Sequence, residues 1–292
     1  MSAPLLPPPS QANVLIVGLA RNSGKAIGQD IERLKRACRI FQRTHIFVVE
    51  SDSTDDTLAH LEQLSARDPA FRHVSLGALR TQHPLRTDRI AQCRNRYLDE
   101  LAQFPGYADV DYVLAADLDG INNLINEQAL LSCWQAPTPW DMCAANRRNY
   151  YYDIWALRHP DWCPQDCWER FARLRPQIGN ENAFQMAILG PMVRIPAHLP
   201  FIEVESAFGG LAIYRKAALL SSRYRGLTSH GEEICEHITL HEQMRAAGHK
   251  LYINPAMVAG DKDEHVQEKY FWRKWRRWGI ELKKKLKGLD GY

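Results

Sequence analysis

Residues 112–122 read YVLAADLDGIN, an apolar run followed by Asp117, Leu118, Asp119 and Gly120. An apolar run closed by an acid and an Asp-Gly turn signal reads as a buried strand that ends at the rim of a sheet. Two carboxylates at i and i+2 of such an end point toward the same side. The pair admits three readings. It can offer hard oxygen ligands to a divalent cation, it can supply a nucleophile and a general acid, or it can be a plain turn without chemistry. The neighbouring segments separate them.

Working outward, NVLIVGLA (13–20) reads as a first buried strand ended by an Arg-Asn-Ser-Gly turn. Residues 25–40 carry Ile27, Ile31, Leu34 and Cys38 at helical spacing. HIFVVE (45–50) is a second strand, SDSTDD a loop with an N-cap, and TLAHLEQLSA a helix. FRHVSLG is a weaker third strand, 88–103 a helix, and DYVLAAD (111–117) the fourth strand. Strands alternating with helices predict an α/β fold, a Rossmann-like and mostly parallel sheet flanked by helices. Later, the pattern predicts strands at WDMCAAN (140–146), SAFGGLAIYR (206–215) and KLYINPAMV (250–258). It predicts helices over 164–175 and 234–247, with an aromatic loop, YYDIWALRHPDW, between them and the 140–146 strand. No repeat and no linker is visible. The expected organisation is a flexible lead over 1–12, one domain over 13–265, and a basic amphipathic helix over 266–292.

A length of 292 residues, 45% hydrophobic and 24% charged, suits a soluble globular chain with a substantial core. No run approaches the roughly 18–20 apolar residues that span a bilayer. MSAPLLPPPSQ has no basic n-region and is broken by prolines, so it does not read as a secretory signal. Seven scattered cysteines fit reduced thiols in the cytoplasm, and Cys163 and Cys167 are one residue too far apart for a redox or zinc C-x-x-C. The net charge of +3 is uneven: residues 268–292 hold nine Lys/Arg against three Asp/Glu, leaving the rest at −3. That balance argues against a general nucleic-acid surface and for one local electrostatic task. In the same segment Phe271, Trp275, Trp278, Leu282 and Leu286 share one helical face, the pattern of a helix lying on an anionic membrane surface.

GLARNSGKA (18–26) is not a phosphate-binding P-loop: five residues separate Gly18 and Gly24 where four are required, and Ala26 has no hydroxyl. The turn around Arg21 still lies where α/β sheets bind ligands, beyond the carboxyl ends of the strands. FVVESDSTDDT (47–57) is more specific. It resembles the DDGSTDGT-type segment of GT-A nucleotide-sugar glycosyltransferases, and more closely the ESDSTDGT form of the fungal capsule-associated mannosyltransferases. RTDRIAQCRNRYLDE (86–100) is similar to the family's helix with an Arg-Asn element, DLDG stands where the family places Asp-x-Asp, ESAFGGLAIYRKAAL (205–219) resembles its sugar-pocket segment, and CEHITLHEQMRAAGHKLYINP (235–255) its acidic helix start.

The resemblance implies the following roles. Glu50, Asp52, Arg21, Arg89, Arg94 and Asn95 would bind the donor nucleotide, the arginines through bidentate contacts to phosphate. Asp117 and Asp119, with His265, would hold Mn2+ or Mg2+. Asp153 and Trp155 of the aromatic loop would face the sugar or acceptor, and Gly209 and Gly210 would let backbone approach it. Glu236 would be the general base that deprotonates the attacking hydroxyl in an inverting enzyme, or would orient substrate in a retaining one, although His237 stands where the family has Asp. The implied reaction transfers a sugar from a nucleotide diphosphate to a hydroxyl of a glycan or glycolipid, in capsule or cell-surface polysaccharide synthesis. The implied setting is cytoplasmic, at the inner face of the membrane, with peripheral contact through the C-terminal helix. Two other classes use the same features. A haloacid-dehalogenase-type phosphatase would use Asp117 and Asp119 as nucleophile and acid, but Ile121 follows the motif and position 265 of GDKDEH is His. A non-catalytic membrane-binding protein would need only the basic segment.

Overall fold

The computed structural model describes residues 7–135 and 139–261. His265 and the expected 266–292 helix lie outside the described residues. Among the described residues eight strands form one sheet: β1 (Asn13–Ala20), β2 (Arg43–Glu50), β3 (Phe71–Ser75), β4 (Tyr112–Asp117), β5 (Met142–Arg147), β6 (Ile202–Glu203), β7 (Leu211–Arg215) and β8 (Leu251–Gly260). Their order is β3-β2-β1-β4-β7-β5-β8-β6. β7 runs antiparallel to both β4 and β5, β6 runs antiparallel to β8, and the other pairs are parallel. The α/β class and the mostly parallel sheet are those the alternation of strands and helices predicts.

Alternate residues of each strand feed two separate cores, as the two-residue period of a strand requires. Leu15, Val17, Phe47 and Val49 pack with Ala91, Tyr97 and Leu98 of α3 (Arg86–Gln103), with Ala218 and Leu219 of α6 (Lys216–Leu220), and with Ile238 and Met244 of α7 (Glu236–Ala246). Val14, Ile16, Ile46 and Val48 pack on the other face with Ile27, Ile31 and Leu34 of α1 (Gly24–Ala37), Leu61 of α2 (Thr57–Arg67) and Leu130 of α4 (Glu127–Leu131). The sheet is therefore buried on both faces, which is why β1 and β4 read as continuous apolar runs rather than alternating ones.

Three expectations change. Residues 7–12 are not free: the carbonyl of Pro7 accepts hydrogen bonds from Tyr112 Oη (2.9 Å) and Trp134 Nε1 (3.1 Å), tying the lead to the α1 face of the sheet. The 206–215 segment becomes strand only from Leu211, because Gly209 and Gly210 adopt φ values of +69° and +83° that no strand tolerates. The helix expected over 164–175 is α5 (Cys167–Phe184), interrupted at Gly179 with φ +79°. It packs with Ile188, Leu189 and Met192 against the aromatic loop, making a third small cluster around Ile154 and Tyr152. Among the described residues, no helix is long and apolar enough to cross a membrane.

The segment before α7 docks on the start of α3 at Gly226, where an added Cβ would fall 2.1 Å from the carbonyl oxygen of Thr87. Neither partner can yield there without moving backbone. Gly226→Ala is expected to destabilise the fold by about 1–3 kcal/mol, read as a lowered urea midpoint with an unchanged m-value.

Candidate functional site

Parallel packing in register brings the ends of four strands, β1 to β4, together: Ala20 pairs with Glu50, Glu50 with Ser75, and Leu19 with Asp117. The DLDG turn follows directly and is held from three sides. Gly120, at φ +87°, donates its N–H to Asp30 Oδ2 of α1 at 2.7 Å. Asn122 donates its amide to the carbonyls of Asp117 (3.1 Å) and Gly210 (2.8 Å), and the Asp117 N–H donates to the Gly210 carbonyl (2.9 Å). Asp119 is exposed, with Oδ1 accepting from the Ile121 N–H.

Arg94, on α3 and 4% exposed, reaches this turn from beneath. Its Nε donates to Glu236 Oε1 at 2.9 Å, and its Nη2 lies 3.6 Å from Asp117 Oδ1. The rings of Phe208 and Tyr224 stand 5.1 and 5.6 Å from the guanidinium carbon. Asp153 completes the group: its Oδ2 accepts from the Gly209 N–H at 2.9 Å, and burial raises its carboxyl above the ordinary range. Asp117 is pushed up to about 7, first by burial and then, against the pull of Arg94, by Asp119, Asp153 and Glu236. Four carboxylates thus gather at the mouth of the sheet, two of them, Glu236 and Asp117, sharing the Arg94 guanidinium. A surplus of negative charge held on a rigid turn fits a divalent cation with two protein carboxylates and further ligands from water or a diphosphate. Asp119 is exposed and Asp117 partly so, and these are the pair that an ion could reach. Among the described residues no three acidic, His or Cys side chains converge on one point to hold an ion by themselves.

The predicted donor residues separate. Glu50 is buried, its carboxylate taken by the Ser53 N–H and the Ser75 hydroxyl. Asp52, at φ +57°, accepts from the Arg80 N–H (2.9 Å) and faces Arg89, which donates to the carbonyls of His83 (2.9 Å) and Pro84 (2.6 Å). These side chains shape the loops at 51–54 and 76–85 instead of projecting from them. Asn95 is turned away: its amide clamps the backbone N–H and carbonyl of Tyr224. Arg21 is exposed on the β1–α1 turn. The first amides around α1 go to protein groups, Ser23 N–H to Thr57 Oγ1 and Gly24 N–H to Asp55 Oδ2, so the Ser-Thr-Asp-Asp run caps the neighbouring helix α1.

Gly209 and Gly210 have another use than the one expected. Both are buried, and a Cβ on Gly209 would meet the Ala145 carbonyl oxygen at 2.6 Å, one on Gly210 the Tyr152 hydroxyl at 3.1 Å. The room their small size leaves is filled by protein. Trp155 is half-buried between two apolar clusters. The sequence reading missed Asp30, Asn122, Arg147, Phe208 and Tyr224. Only Asp30 carried a signal, an acid set on the apolar stripe Ile27–Ile31–Leu34. Arg147, fully buried, donates to the Ile121 carbonyl at 2.9 Å, and β8 delivers Asp261 beside Asn123, with Oδ1 accepting from its amide at 2.8 Å.

No protein-family model matches this chain, and no curated protein matches its sequence. Among solved structures it is similar to the mannosyltransferase PcManGT from Pyrobaculum calidifontis, in complex with GDP-Man and Mn2+, at 13% identity and TM-score 0.48 over 86% of this chain and 57% of that one. It is similar to S. aureus TarS 1–349 in complex with UDP-GlcNAc, at 15% identity and TM-score 0.45 over 82% and 55%. It is also similar to glucosyl-3-phosphoglycerate synthase from Mycobacterium tuberculosis in complex with UDP, at 14% identity and TM-score 0.44 over 86% and 72%. The chain spans little more than half the length of the first two. At TM-scores this low the likenesses carry no weight for the function, which rests on the site itself.

Two predictions come from the charges. Removing Arg94 strands the buried Glu236 carboxylate, so Arg94→Met is expected to cost about 3–5 kcal/mol in urea unfolding, with part recovered when Glu236→Gln is added. His241 sits in the same layer, with Nδ1 2.8 Å from Ser206 Oγ and Nε2 3.0 Å from Tyr214 Oη. Burial, then Arg94, pushes it from the ordinary 6.5 down to about 3. The unfolded chain takes up this proton first, so the stabilisation is complete above 6.5 and drains away as pH falls toward 3. Between about pH 6 and pH 4.5 the wild type is expected to lose stability more steeply than His241→Gln, by up to about 1.4 kcal/mol per pH unit.

Proposed function

We propose that this chain is a GT-A-type glycosyltransferase that moves a sugar from a nucleoside-diphosphate donor to an acceptor hydroxyl. The observation that carries the reading is the gathering of Asp119, Asp153 and Glu236 around Asp117, with the buried guanidinium of Arg94 between Asp117 and Glu236, at the carboxyl ends of parallel strands. Ligands of α/β sheets bind at that edge, and a carboxylate pair beside an arginine is suited to a cation–diphosphate group.

In this reading Asp117 and Asp119 would hold Mn2+ or Mg2+, and the metal would stabilise charge on the departing nucleotide as a Lewis acid. His265, four residues beyond Asp261, would be a further ligand. Arg94, and Arg21 on the exposed turn, would bind phosphate oxygens. The loops kept in place by Glu50, Asp52 and Arg89 would wall the nucleoside, and Asn95 would serve by fixing Tyr224 over Arg94. Asp153 and Glu236 lie on the acceptor side, where the aromatic loop with Trp155 meets the start of α7. As the acceptor oxygen bonds to the sugar's anomeric carbon, the bond from that carbon to the diphosphate breaks and the hydroxyl proton leaves. Glu236, in the first turn of α7, would orient that hydroxyl or take its proton. The basic, tryptophan-rich segment 268–287 would rest on an anionic membrane surface, which suits a lipid-linked or cell-surface polysaccharide acceptor.

The test is a thermal-shift panel of nucleoside diphosphates with and without Mn2+. One nucleotide is expected to stabilise the protein only in the presence of metal, and the gain is expected to vanish in Asp119→Ala. If no nucleotide moves the melting temperature, the reading fails.

A further inference from the structure

The residue after Glu236 is placed in an unusual setting. His237 is 2% exposed and lies face to face with Phe208, ring centroids 3.9 Å apart and planes 21° from parallel. The ring centroid of Tyr224 is 5.7 Å away, with the planes 81° apart, and that of His241 is 5.8 Å away, so the imidazole is surrounded by rings. Among the described residues neither Nδ1 nor Nε2 has a hydrogen-bond partner. Burying a polar nitrogen without a partner opposes folding. A phenylalanine would fill the same stack without that cost, so packing alone does not call for histidine here.

The ring's nearest polar neighbour identifies what it can do. Nε2 is 3.6 Å from Glu236 Oε1, just beyond a hydrogen bond, and that same oxygen is held at 2.9 Å by Arg94 Nε. Arg94 in turn stands 3.6 Å from Asp117 Oδ1, so two carboxylates compete for one guanidinium. Burial first, then Arg94 and His241, keep His237 well below the ordinary imidazole range. It is neutral, and a neutral imidazole always has one N–H to donate.

On the glycosyl-transfer reading above, we propose that His237 is a positioning residue for Glu236, donating an N–H to its carboxylate when Arg94 turns toward the donor's phosphates at Asp117. Phosphate oxygens attract a guanidinium in bidentate geometry more strongly than a single carboxylate oxygen does. Glu236 is then left against a neutral donor instead of a full positive charge. A carboxylate bound to a guanidinium is a weakened proton acceptor, whereas one that accepts a neutral N–H keeps its basicity and its orientation. The unpartnered Nε2 is thus a group whose partner is supplied when the donor arrives.

The experiment compares His237→Phe and His237→Gln with wild type in the full chain. It measures melting temperature and steady-state kinetics with the nucleotide-sugar whose base the diphosphate panel identifies. His237→Phe is expected to melt a few degrees higher, to keep its donor KM, and to lose about tenfold or more in kcat, because orientation of a proton-accepting group carries that order of effect. His237→Gln, which keeps an N–H near the Nε2 position, is expected to recover most of kcat without the gain in melting temperature. A Phe variant with kcat within about twofold of wild type overturns the proposal. So does one whose melting temperature and kcat fall together, since that marks a purely structural ring. If the wild type binds a diphosphate with Mn2+ but His237→Phe is kinetically silent, only the positioning role falls. If the wild type neither binds nor transfers, the glycosyltransferase reading falls and takes this role with it.

Discussion

A buried guanidinium between two carboxylates is the constraint on which the rest of this site depends. Arg94 comes from α3, Glu236 from the first turn of α7 and Asp117 from the end of β4, so three separate elements meet at one charge. Taking that charge out of water is expensive, and a single ion pair seldom offsets it. Here the offset is spread over a close carboxylate, a more distant one, and the faces of Phe208 and Tyr224. The aromatic wall excludes water, which strengthens each interaction inside it and makes the loss of any partner costly.

The same economy holds the acidic turn. DLDG does not keep its shape through its own residues. Asp30 reaches from α1 to the Gly120 amide, and Asn122 spans the carbonyls of Asp117 and Gly210. Asp117 is thereby fixed by supports on both faces of the sheet, and its neighbours load negative charge around it. Carboxylates held on a rigid frame would meet a cation with little rearrangement, because little has to move for a ligand to bind.

Much of the fold was legible because both faces of the sheet are covered. Continuous apolar runs such as NVLIVGLA and YVLAAD can only be buried strands, and the 3.6-residue stripe Ile27–Ile31–Leu34 can only be a helix lying against them. Asp117, Asp119, Asp153, Arg94 and Glu236 were legible one by one as chemistry-bearing residues, and the structure brings them together. Glu50, Asp52, Arg89 and Asn95 have the right chemistry for a nucleotide, yet their side chains are occupied by Ser53, Ser75, Arg80, His83, Pro84 and Tyr224. Whether a polar side chain serves a ligand or its own loop is decided by which backbone group lies nearest, and one-dimensional spacing does not carry that.

By itself, then, the sequence determined the α/β layering, the strand ends at which polar residues gather, and the placing of two carboxylates at i and i+2 on one of them. These follow from hydrophobic period and turn chemistry, which act over a few residues. Only the tertiary structure decided which charges are paired, that Arg94 is shared between Glu236 and Asp117, that Gly209 and Gly210 make room for Ala145 and Tyr152, and that His237 is buried with no hydrogen-bond partner among the described residues. Those outcomes depend on distances between segments up to 142 residues apart, as between Arg94 and Glu236. Desolvation and direct contact arise only once the sheet has brought them within a few ångströms.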